Sequence, residues 1–391
     1  MRVGIFGGTF NPIHTGHVLL INRMKKALQI DELIVVPTLI PPHKSNGDVI
    51  GSHHRLQMCR LATESLDGVT VSDIELRREN ASYTIDTIHQ LKVNRRCDEF
   101  ILLMGSDMLF TFASWKNAQE IMKLVKIAAI ARENDELDKM YAEKENLEKL
   151  GGIVEIVDDK AFVASSTAIR NKIAMEEDVP QNVMSYIEQN GLYGYKKVLP
   201  VDDKNIKALL KEKLSEKRYL HSLNVADEAA KLAEYYNEDS EIAYMAGLLH
   251  DICKEMPKDD MLNLLSGSDI LSDDVFKSSP QIWHGFAAAN YIQRELELLN
   301  TEIIDAVRYH STASGHMSKI GEIIYIADLI SIDRNYPELE KLREIAYRSL
   351  EEAMLESMAF IVSDLANKKR PALNDTLEAY NRYALLVRGM R

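Results

Sequence analysis

Two histidines follow a glycine-rich turn near the start of the chain. The segment 7–17 reads GGTFNPIHTGH and comes directly after the short apolar run Arg2–Phe6. Glycines let a backbone approach a ligand closely, and a helix beginning near His17 would offer N–H groups and the positive end of its dipole. With His14 three positions earlier, two imidazoles would lie beside those groups. The pattern suits a triphosphate that gains charge as its α-phosphorus is attacked, and it differs from the P-loop consensus GxxxxGK[ST].

Three further segments carry groups that could contact the same ligand. Segment 165–170 (SSTAIR) predicts a helix start at which the hydroxyls of Ser166 and Thr167 and the guanidinium of Arg170 form a phosphate clamp. Lys44, in the segment PPHK after the second predicted strand, could contact the phosphates too. Asp107, in the segment GSD that begins at Gly105, follows another predicted strand, and its carboxylate could accept hydrogen bonds from ribose hydroxyls.

The second half of the chain contains an ordered set of histidines and aspartates. These candidate metal ligands are spaced along predicted helices and are His221, His250, Asp251, His284, His310 and Asp328. Imidazole with carboxylate suits Fe, Mn, Zn or Co rather than an all-oxygen Mg²⁺ site. Such a set suffices for two metals bridged by one carboxylate, which could activate water and hold a phosphate. His54 and His316 fit no such pattern, and we expect them to be solvated.

Alternating elements must position the first group of residues. Apolar runs predict strands at 2–6, 32–36, 100–104 and 127–131. Helical spacing predicts helices at 18–28, 53–65, 84–93 and 117–124. This alternation favours a Rossmann-like, doubly wound parallel sheet, with the site at the carboxyl ends of the strands.

The chain changes character near Lys197. From about Asn205 onward no alternating strand is evident, and helical spacing dominates, as in the helix predicted at 241–254. The charged segment YKKVLPVDDKN at 195–205 lies at the change. We therefore predict an α/β domain at 1–196 and an all-α domain at 197–391.

Composition restricts the class of protein. The 391 residues suit two domains, and 46% hydrophobic with 27% charged residues allows each domain a core. A formal net charge of −13 without a long Lys/Arg tract argues against a general nucleic-acid binder. Three cysteines without a CxxC pair indicate reduced thiols in a cytoplasm. No leader-like segment and no run approaching 18 uncharged apolar residues is seen, so we expect no membrane span.

The N-terminal motifs resemble those of the nicotinate-nucleotide adenylyltransferase family. GGTFNPIHTGH, PPHK, GSD and SSTAIR stand in the family's order and spacing, and the resemblance covers about residues 1–195. It implies that ATP, with Mg²⁺, is bound by the turn Gly7, Gly8, Thr9 and Phe10 and by Gly105 and Asp107. It further implies that the reacting phosphates contact His14, His17, Lys44, Ser166, Thr167 and Arg170. Because the nucleophile is already a phosphate, catalysis would consist of positioning and charge stabilisation.

The same resemblance implies a pyridine-binding side. In the family a Trp stacks on the pyridine ring, and a Tyr-Thr segment presents a backbone N–H to the nicotinate carboxylate. Trp115 and the pair Tyr83-Thr84 match these positions. Lys116 stands where many members carry a second aromatic residue, and a lysine could favour the carboxylate of nicotinate over the amide of nicotinamide.

The C-terminal set resembles the HD-domain metal-dependent phosphohydrolases, and more closely their YqeK-like bacterial subfamily. The matching segments are RYLH at 218–221, HDICK at 250–254, WHG at 283–285, HST at 310–312 and ADLI at 327–330. The resemblance implies a dinuclear centre of iron or manganese type that splits diadenosine tetraphosphate (Ap4A) into two ADP. Lys254 and Arg334 would contact phosphates. Ser331-Ile332 stands where the family often has Glu-Pro.

Together these features predict a bifunctional cytoplasmic enzyme. One half would transfer adenylyl from ATP to nicotinate mononucleotide, giving deamido-NAD and pyrophosphate. The other half would hydrolyse a dinucleoside polyphosphate. Two alternatives remain for the second half, namely a phosphohydrolase of other nucleotides and a regulatory module that only senses nucleotides. The sequence leaves a homo-oligomer open.

Overall fold

The structure is a computed structural model in which two units can be described separately. The described residues are 1–39, 49–78, 83–93, 95, 98–131, 135–159, 165–173, 176–266 and 280–389. The chain divides into Met1–Lys196 and Lys197–Arg391. The candidate phosphate contact Lys44 lies outside the described residues, as does Cys97.

A parallel sheet forms the centre of the first unit. Its strands are β1 (Arg2–Gly8), β2 (Glu32–Pro37), β3 (Val69–Val71), β4 (Glu99–Gly105), β5 (Lys126–Ile130) and β6 (Val154–Val157). Their order is β3-β2-β1-β4-β5-β6, and each neighbouring pair is parallel. The apolar runs of β1, β2 and β4 are buried, as strands covered on both faces require. The predicted doubly wound α/β fold is therefore confirmed.

Helices connect these strands, and two more follow β6. They are α1 (Thr15–Ala27), α2 (Ser52–Thr63), α3 (Thr84–Lys92), α4 (Ser106–Leu109), α5 (Ala118–Leu124), α6 (Leu137–Lys149), α7 (Ser166–Arg170) and α8 (Gln181–Gln189). Short 3₁₀ turns occupy Phe112–Ser114, Glu176–Asp178 and Leu192–Gly194. A core cluster joins the sheet to α3, α5 and α6, with Ile5, Leu102 and Ile127 on the sheet side.

Two edge strands and one helix start differ from the sequence prediction. β3 and β6, three and four residues long, are too short to show a period and were not predicted. α1 begins at Thr15 rather than Val18, because His14 acts as its N-cap. His17 therefore lies inside the first turn of α1.

The second unit is helical throughout its described residues, which confirms the predicted all-α half. Its helices are α9 (Asp203–Lys213), α10 (Glu216–Tyr235), α11 (Ser240–Leu249), α12 (Lys258–Leu265), α13 (Trp283–Glu295), α14 (Thr301–Tyr309), α15 (Lys319–Ile330), α16 (Leu339–Ala346), α17 (Leu350–Asn367) and α18 (Asn374–Val387), with a 3₁₀ turn at Pro280–Ile282. Side chains at Asp202, Asp239, Asn300, Ser318 and Ser349 cap five of them by accepting a backbone N–H.

The helix predicted at 241–254 ends five residues early. α11 stops at Leu249, and the chain continues in turns whose backbone N–H groups bond three residues back, from Ile252 to Leu249 and from Lys254 to Asp251. His250 and Asp251 thus lie just after a helix rather than within one. Among the described residues, no helix is long and apolar enough to cross a membrane. Cys59 and Cys253 are buried free thiols, as expected.

Candidate functional sites

The first candidate site lies where the strand order reverses. β1 and β4 are neighbours, and the chain leaves them at Gly8 and Gly105. In doubly wound sheets a crevice forms outside the carboxyl ends of such strands. The sheet therefore places the glycine-rich turn and the GSD segment at one edge.

His14 and His17 lie face to face at the start of α1. Their ring centroids are 3.7 Å apart with an interplanar angle of 28°. The backbone N–H of His14 donates to Nδ1 of His17 at 3.2 Å. Because Nδ1 of His17 accepts, Nε2 carries the proton of the neutral ring and is a donor. His14 is buried, so the pair is a fixed feature of the helix N-terminus.

The phosphate clamp predicted from SSTAIR faces the glycine-rich turn. Arg170 donates from Nη1 to the Asn11 carbonyl at 2.8 Å, and the Ser166 hydroxyl donates to the Pro12 carbonyl at 2.9 Å. Arg170 also donates to the Thr167 hydroxyl at 3.2 Å. These contacts bring the two motifs together although they lie about 150 residues apart.

Arg55 is a residue of this site that the sequence prediction missed. Its guanidinium is buried and donates to the carbonyls of Thr9 at 2.7 Å, Leu39 at 3.1 Å and Ile50 at 3.3 Å. A signal was available, since Arg55 lies on the same helical face as the buried residues Met58, Cys59 and Ala62. A charged residue on a buried face requires partners, and here they are backbone carbonyls.

The two glycines of the turn differ in the space around them. A Cβ on Gly8 would lie 2.8 Å from the Phe10 ring, so the absence of a side chain at Gly8 makes room for Phe10. Phe10 is buried, has a φ of 48° and contacts the His17 ring edge-on at 5.1 Å. On Gly7 the nearest atom to a Cβ would be the Val36 carbonyl oxygen at 4.0 Å. Space for a neighbouring group therefore remains beside Gly7.

Residues predicted for the pyridine side also come together. Tyr83 is the N-cap of α3, and Thr84 is its first residue. The Lys116 ammonium lies 3.7 Å from the centroid of the Tyr83 ring, and the Trp115 ring packs against Phe112 at 5.3 Å. Asp107 lies in the first turn of α4, at the sheet edge described above.

In the second unit, two groups of potential ligand atoms share one carboxylate. His221, His250 and Asp251 form the first group, and Asp251, His284 and His310 form the second. Within each group the ligand atoms lie within 4.8 Å of one another, and all five residues are buried. The predicted ligands are thus brought together, with Asp251 in the position of a bridge.

Backbone carbonyls fix the orientation of three of these imidazoles. Nδ1 of His250 lies 2.7 Å from the Gly247 carbonyl. The same atom lies 2.8 Å from the Gln281 carbonyl in the case of His284, and 2.7 Å from the Val307 carbonyl in the case of His310. A carbonyl can only accept, so Nδ1 carries the proton and Nε2 keeps its lone pair. A hydrogen bond from the ring nitrogen that does not bind the metal commonly orients a metal-binding histidine.

The Nε2 atoms face each other and Asp251. Nε2 of His284 lies 2.9 Å from Nε2 of His310 and 3.2 Å from Oδ1 of Asp251. Nε2 of His250 is buried and has no hydrogen-bond partner among the described residues. Lone pairs gathered at this spacing need a cation, so the donors fit a divalent metal.

Electrostatics keep these groups in the forms that bind a metal. Burial lowers the pKa of His250 and of His284 to about 4, so both rings are neutral near pH 7. Burial alone would raise the pKa of Asp251, but the imidazoles of His250, His284 and His310 hold that pKa well below its usual range. Neutral imidazoles and an ionised carboxylate are the forms that act as ligands.

Charged side chains surround the cluster. Lys254 Nζ lies 3.0 Å from Nε2 of His284, and Arg334 donates to the Asp328 carboxylate. Asp328 Oδ1 in turn lies 3.0 Å from Nε2 of His221. All of these residues were predicted for the site.

Two further charged residues contact the cluster, and the sequence prediction gave neither of them a role. Arg218 donates to Oδ2 of Asp251 at 3.0 Å, and Asp333 lies 2.8 Å from Nδ1 of His221. Arg218 precedes His221 by three positions, a helical spacing that offered a signal. Asp333 offered none, because it lies 112 positions from its partner.

The fold and the two sites define a nucleotidyltransferase-type α/β domain followed by a helical HD domain. A cytidylyltransferase-like family model matches residues 5–172, and an HD domain model matches residues 218–333. A protein of Geobacillus thermodenitrificans named probable nicotinate-nucleotide adenylyltransferase is 36% identical over 197 residues, which cover 49% of this chain and 86% of that protein. The chain belongs to the nicotinate-nucleotide adenylyltransferase family and carries an HD domain in its second half.

Other relatives combine or separate the two halves. A Mycoplasma genitalium protein named probable nicotinate-nucleotide adenylyltransferase/Ap4A hydrolase is 26% identical over 367 residues, covering 92% of this chain and 97% of that protein. A solved structure from Clostridium acetobutylicum, described as a predicted HD superfamily hydrolase involved in NAD metabolism, is 32% identical. It matches 47% of this chain and 97% of its own length with a TM-score of 0.45.

Proposed function

We propose that residues 1–196 transfer adenylyl from ATP to nicotinate mononucleotide. A phosphate oxygen of the mononucleotide would attack the α-phosphorus of ATP, the new P–O–P bond would give deamido-NAD, and pyrophosphate would leave. The observation that carries this proposal is the stacked pair His14 and His17 at the N-terminus of α1, beside the strand-order reversal. The names of the relatives agree with it.

The residues of the first unit have separate tasks in this reaction. The N–H groups of the first turn of α1 and the His17 Nε2–H would stabilise charge that develops on the α- and β-phosphates. Arg170, Ser166 and Thr167 would add donors from the opposite side, with Mg²⁺ accompanying ATP and Lys44 assisting. Asp107 would hold the ribose. Positioning and charge stabilisation suffice, because the nucleophile needs no deprotonation at neutral pH.

The pyridine side would select nicotinate. Trp115 would stack on the ring, and the Thr84 N–H at the start of α3 would donate to the carboxylate. Lys116, held over the Tyr83 ring, would place a positive charge near that carboxylate. An amide in its place would bring an NH₂ group toward donors and leave hydrogen bonds unmade.

We further propose that residues 197–391 hydrolyse Ap4A to two ADP with a dinuclear iron- or manganese-type centre. The sharing of Asp251 by two ligand groups carries this proposal. His221, His250 and Asp328 would hold one cation, His284 and His310 the other, and Asp251 both. When bound, the cations would supply an activated water and neutralise phosphate charge. Lys254 and Arg334 would bind and orient the polyphosphate.

A product assay on the full chain tests both proposals. With ATP, nicotinate mononucleotide and Mg²⁺ we expect deamido-NAD and pyrophosphate in equal amounts. With Ap4A and Mn²⁺ or Fe²⁺ we expect ADP alone, and a mixture of AMP and ATP would reject symmetrical cleavage. If the protein binds metal and releases phosphate from other nucleotides but does not cleave Ap4A, the second unit is a phosphohydrolase of those other nucleotides. A protein that takes up no metal would favour the regulatory module.

A further inference from the structure

Asp333 lies behind His221, on the side away from the ligand cluster. Its Oδ2 is 2.8 Å from Nδ1 of His221, and its Oδ1 accepts from the Asn224 side-chain amide at 3.2 Å. His221 and Asn224 are three positions apart on α10, so one face of this helix engages both oxygens of the carboxylate. The other nitrogen of His221, Nε2, faces the cluster and lies 3.0 Å from Oδ1 of Asp328.

His221 differs from the other clustered histidines in what fixes its ring. In His250, His284 and His310 a backbone carbonyl three positions back holds Nδ1. His221 lies inside α10, where carbonyls of preceding residues are engaged in the helix, and a side-chain carboxylate takes that place. The carboxylate directly follows Ser331-Ile332, the pair that stands where the HD-domain family often has Glu-Pro.

We infer that Asp333 is a positioning residue for the metal centre, which orients His221 and makes its Nε2 a stronger ligand. This inference rests on the proposed metal-dependent function of the second unit. A carboxylate that accepts the Nδ1 proton fixes the tautomer in which Nε2 is a ligand, and it raises the basicity of the ring. Asn224 adds selectivity for a carboxylate at this position. The two oxygens of Asp333 accept from His221 and from Asn224, whereas an asparagine at 333 would have an accepting oxygen in only one of these two places.

Manganese binding to the full chain tests this role without reference to activity. We would titrate metal-free protein with Mn²⁺ and follow the electron paramagnetic resonance signal of the free ion. The wild-type protein should bind two Mn²⁺. In Asp333→Asn one of the two should bind about 10–100-fold more weakly, the usual effect of losing an outer carboxylate partner. Asp333→Glu keeps the charge and should recover part of the affinity.

Glu120→Gln provides a matched control. Glu120 pairs with Nε2 of His89 at 3.0 Å in the first unit, far in sequence from every proposed ligand. The Glu120→Gln variant should keep both Mn²⁺ affinities of the wild type. Circular dichroism of all metal-free variants should match that of the wild type. Asp333 is 35% exposed as a side chain, so its replacement should leave the fold intact.

The outcomes separate this inference from the proposed function. Wild-type affinities in Asp333→Asn would overturn the role of Asp333 and leave the metal centre standing. Equal weakening in Glu120→Gln would also overturn it, since the effect would then not depend on His221. A wild-type protein that binds no Mn²⁺ would overturn the proposed metal-dependent function together with this inference.

Discussion

At the scale of single residues, His17 in the first site and three histidines in the second have opposite tautomers. Nδ1 of His17 accepts a backbone N–H, so the ring presents a donor at Nε2. Nδ1 of His250, His284 and His310 instead faces a carbonyl, so each ring presents a lone pair at Nε2. A donor suits a phosphate oxygen and a lone pair suits a metal ion. The backbone next to these four rings thus determines which ligand each of them can bind.

Replacing either histidine of the first site should strongly slow adenylyl transfer. We expect His14→Ala and His17→Ala each to lower kcat by about 10²–10³, because each removes a preorganised group at a centre where charge develops. Steady-state kinetics with ATP and nicotinate mononucleotide would measure the loss. Ap4A hydrolysis by the same preparations serves as the internal control and should not change. Near-normal transfer in both variants would remove this pair from the mechanism.

Lys116 should set part of the substrate preference. In Lys116→Met we expect the ratio of kcat/KM for nicotinate over nicotinamide mononucleotide to fall by roughly tenfold, the effect of about 1.4 kcal/mol. The positive charge near the carboxylate is lost, whereas Trp115 and the Thr84 N–H remain. Lys123→Met, an exposed lysine on α5, is the matched control. An unchanged ratio in Lys116→Met would assign the selectivity to the backbone alone.

The residues that sequence analysis located are those whose chemistry is local in the chain. HTGH, SSTAIR and HDICK each place several functional groups within a few positions, so their types and spacing already indicate a ligand. Asp333 and Arg55 act through partners far away or through backbone carbonyls. No local pattern contains such contacts, and they appear only once the elements are packed.

At the scale of elements, α2 stabilises the glycine-rich turn after β1. The Arg55 guanidinium donates to three carbonyls, that of Thr9 in the glycine-rich turn and those of Leu39 and Ile50 between β2 and α2. Buried carbonyls require donors, and here the side chain of a helix supplies one to each of the three. The strands of the sheet were predictable from their apolar runs. The helical spacing of Arg55 indicates that it is buried but does not indicate which carbonyls it contacts.

Arg55→Met should therefore destabilise the first unit. Leaving a buried carbonyl unpaired costs about 1–3 kcal/mol, so the loss of several bonds should lower the free energy of unfolding by roughly 3 kcal/mol or more. Denaturant unfolding followed by fluorescence would measure this change. Arg77→Met, an exposed arginine paired with Asp73, should stay within about 0.5 kcal/mol of wild type. A similarly small effect at Arg55 would show that water replaces its contacts.

The prediction that His54 is solvated was wrong, because a second helix packs against it. We expected a solvated side chain, but His54 is half-buried on α2, and its Nδ1 lies 2.8 Å from the Tyr186 hydroxyl on α8. Helix α8 follows α2 by more than a hundred positions, so this contact could not be read from the local pattern. His316 is exposed, as expected.

This burial predicts a pH dependence of stability. Burial, with a smaller effect of His53, lowers the pKa of His54 from 6.5 to about 4. Between these values the unfolded chain binds a proton that the folded chain does not, so stability should fall as pH falls from 6.5 toward 4. In His54→Asn the dependence of unfolding free energy on pH should be shallower. His316→Asn is the control, and equal slopes in wild type and His54→Asn would contradict the prediction.

At the scale of the whole molecule, each unit has its own hydrophobic core and its own ligands. The core cluster of the first unit runs from Val3 to Val154, and that of the second from Ile206 to Tyr383. A chain with two such cores is not expected to unfold in a single two-state step. Calorimetry of the full chain should resolve a transition for each unit, and each ligand should raise only one of them.

Metal should stabilise the second unit alone. A ligand at 100 times its dissociation constant stabilises the folded state by about 2.7 kcal/mol, which for a unit of this size raises Tm by roughly 5–10 °C. Mn²⁺ should therefore shift one transition, and a non-hydrolysable ATP analogue with Mg²⁺ should shift the other. Asp251→Asn removes the shared ligand while keeping its shape, so it should abolish the Mn²⁺ shift and leave the nucleotide shift unchanged. A Mn²⁺ shift that survives in this variant would place the metal elsewhere, and a Mn²⁺ shift of both transitions would mean that the ion also stabilises the first unit.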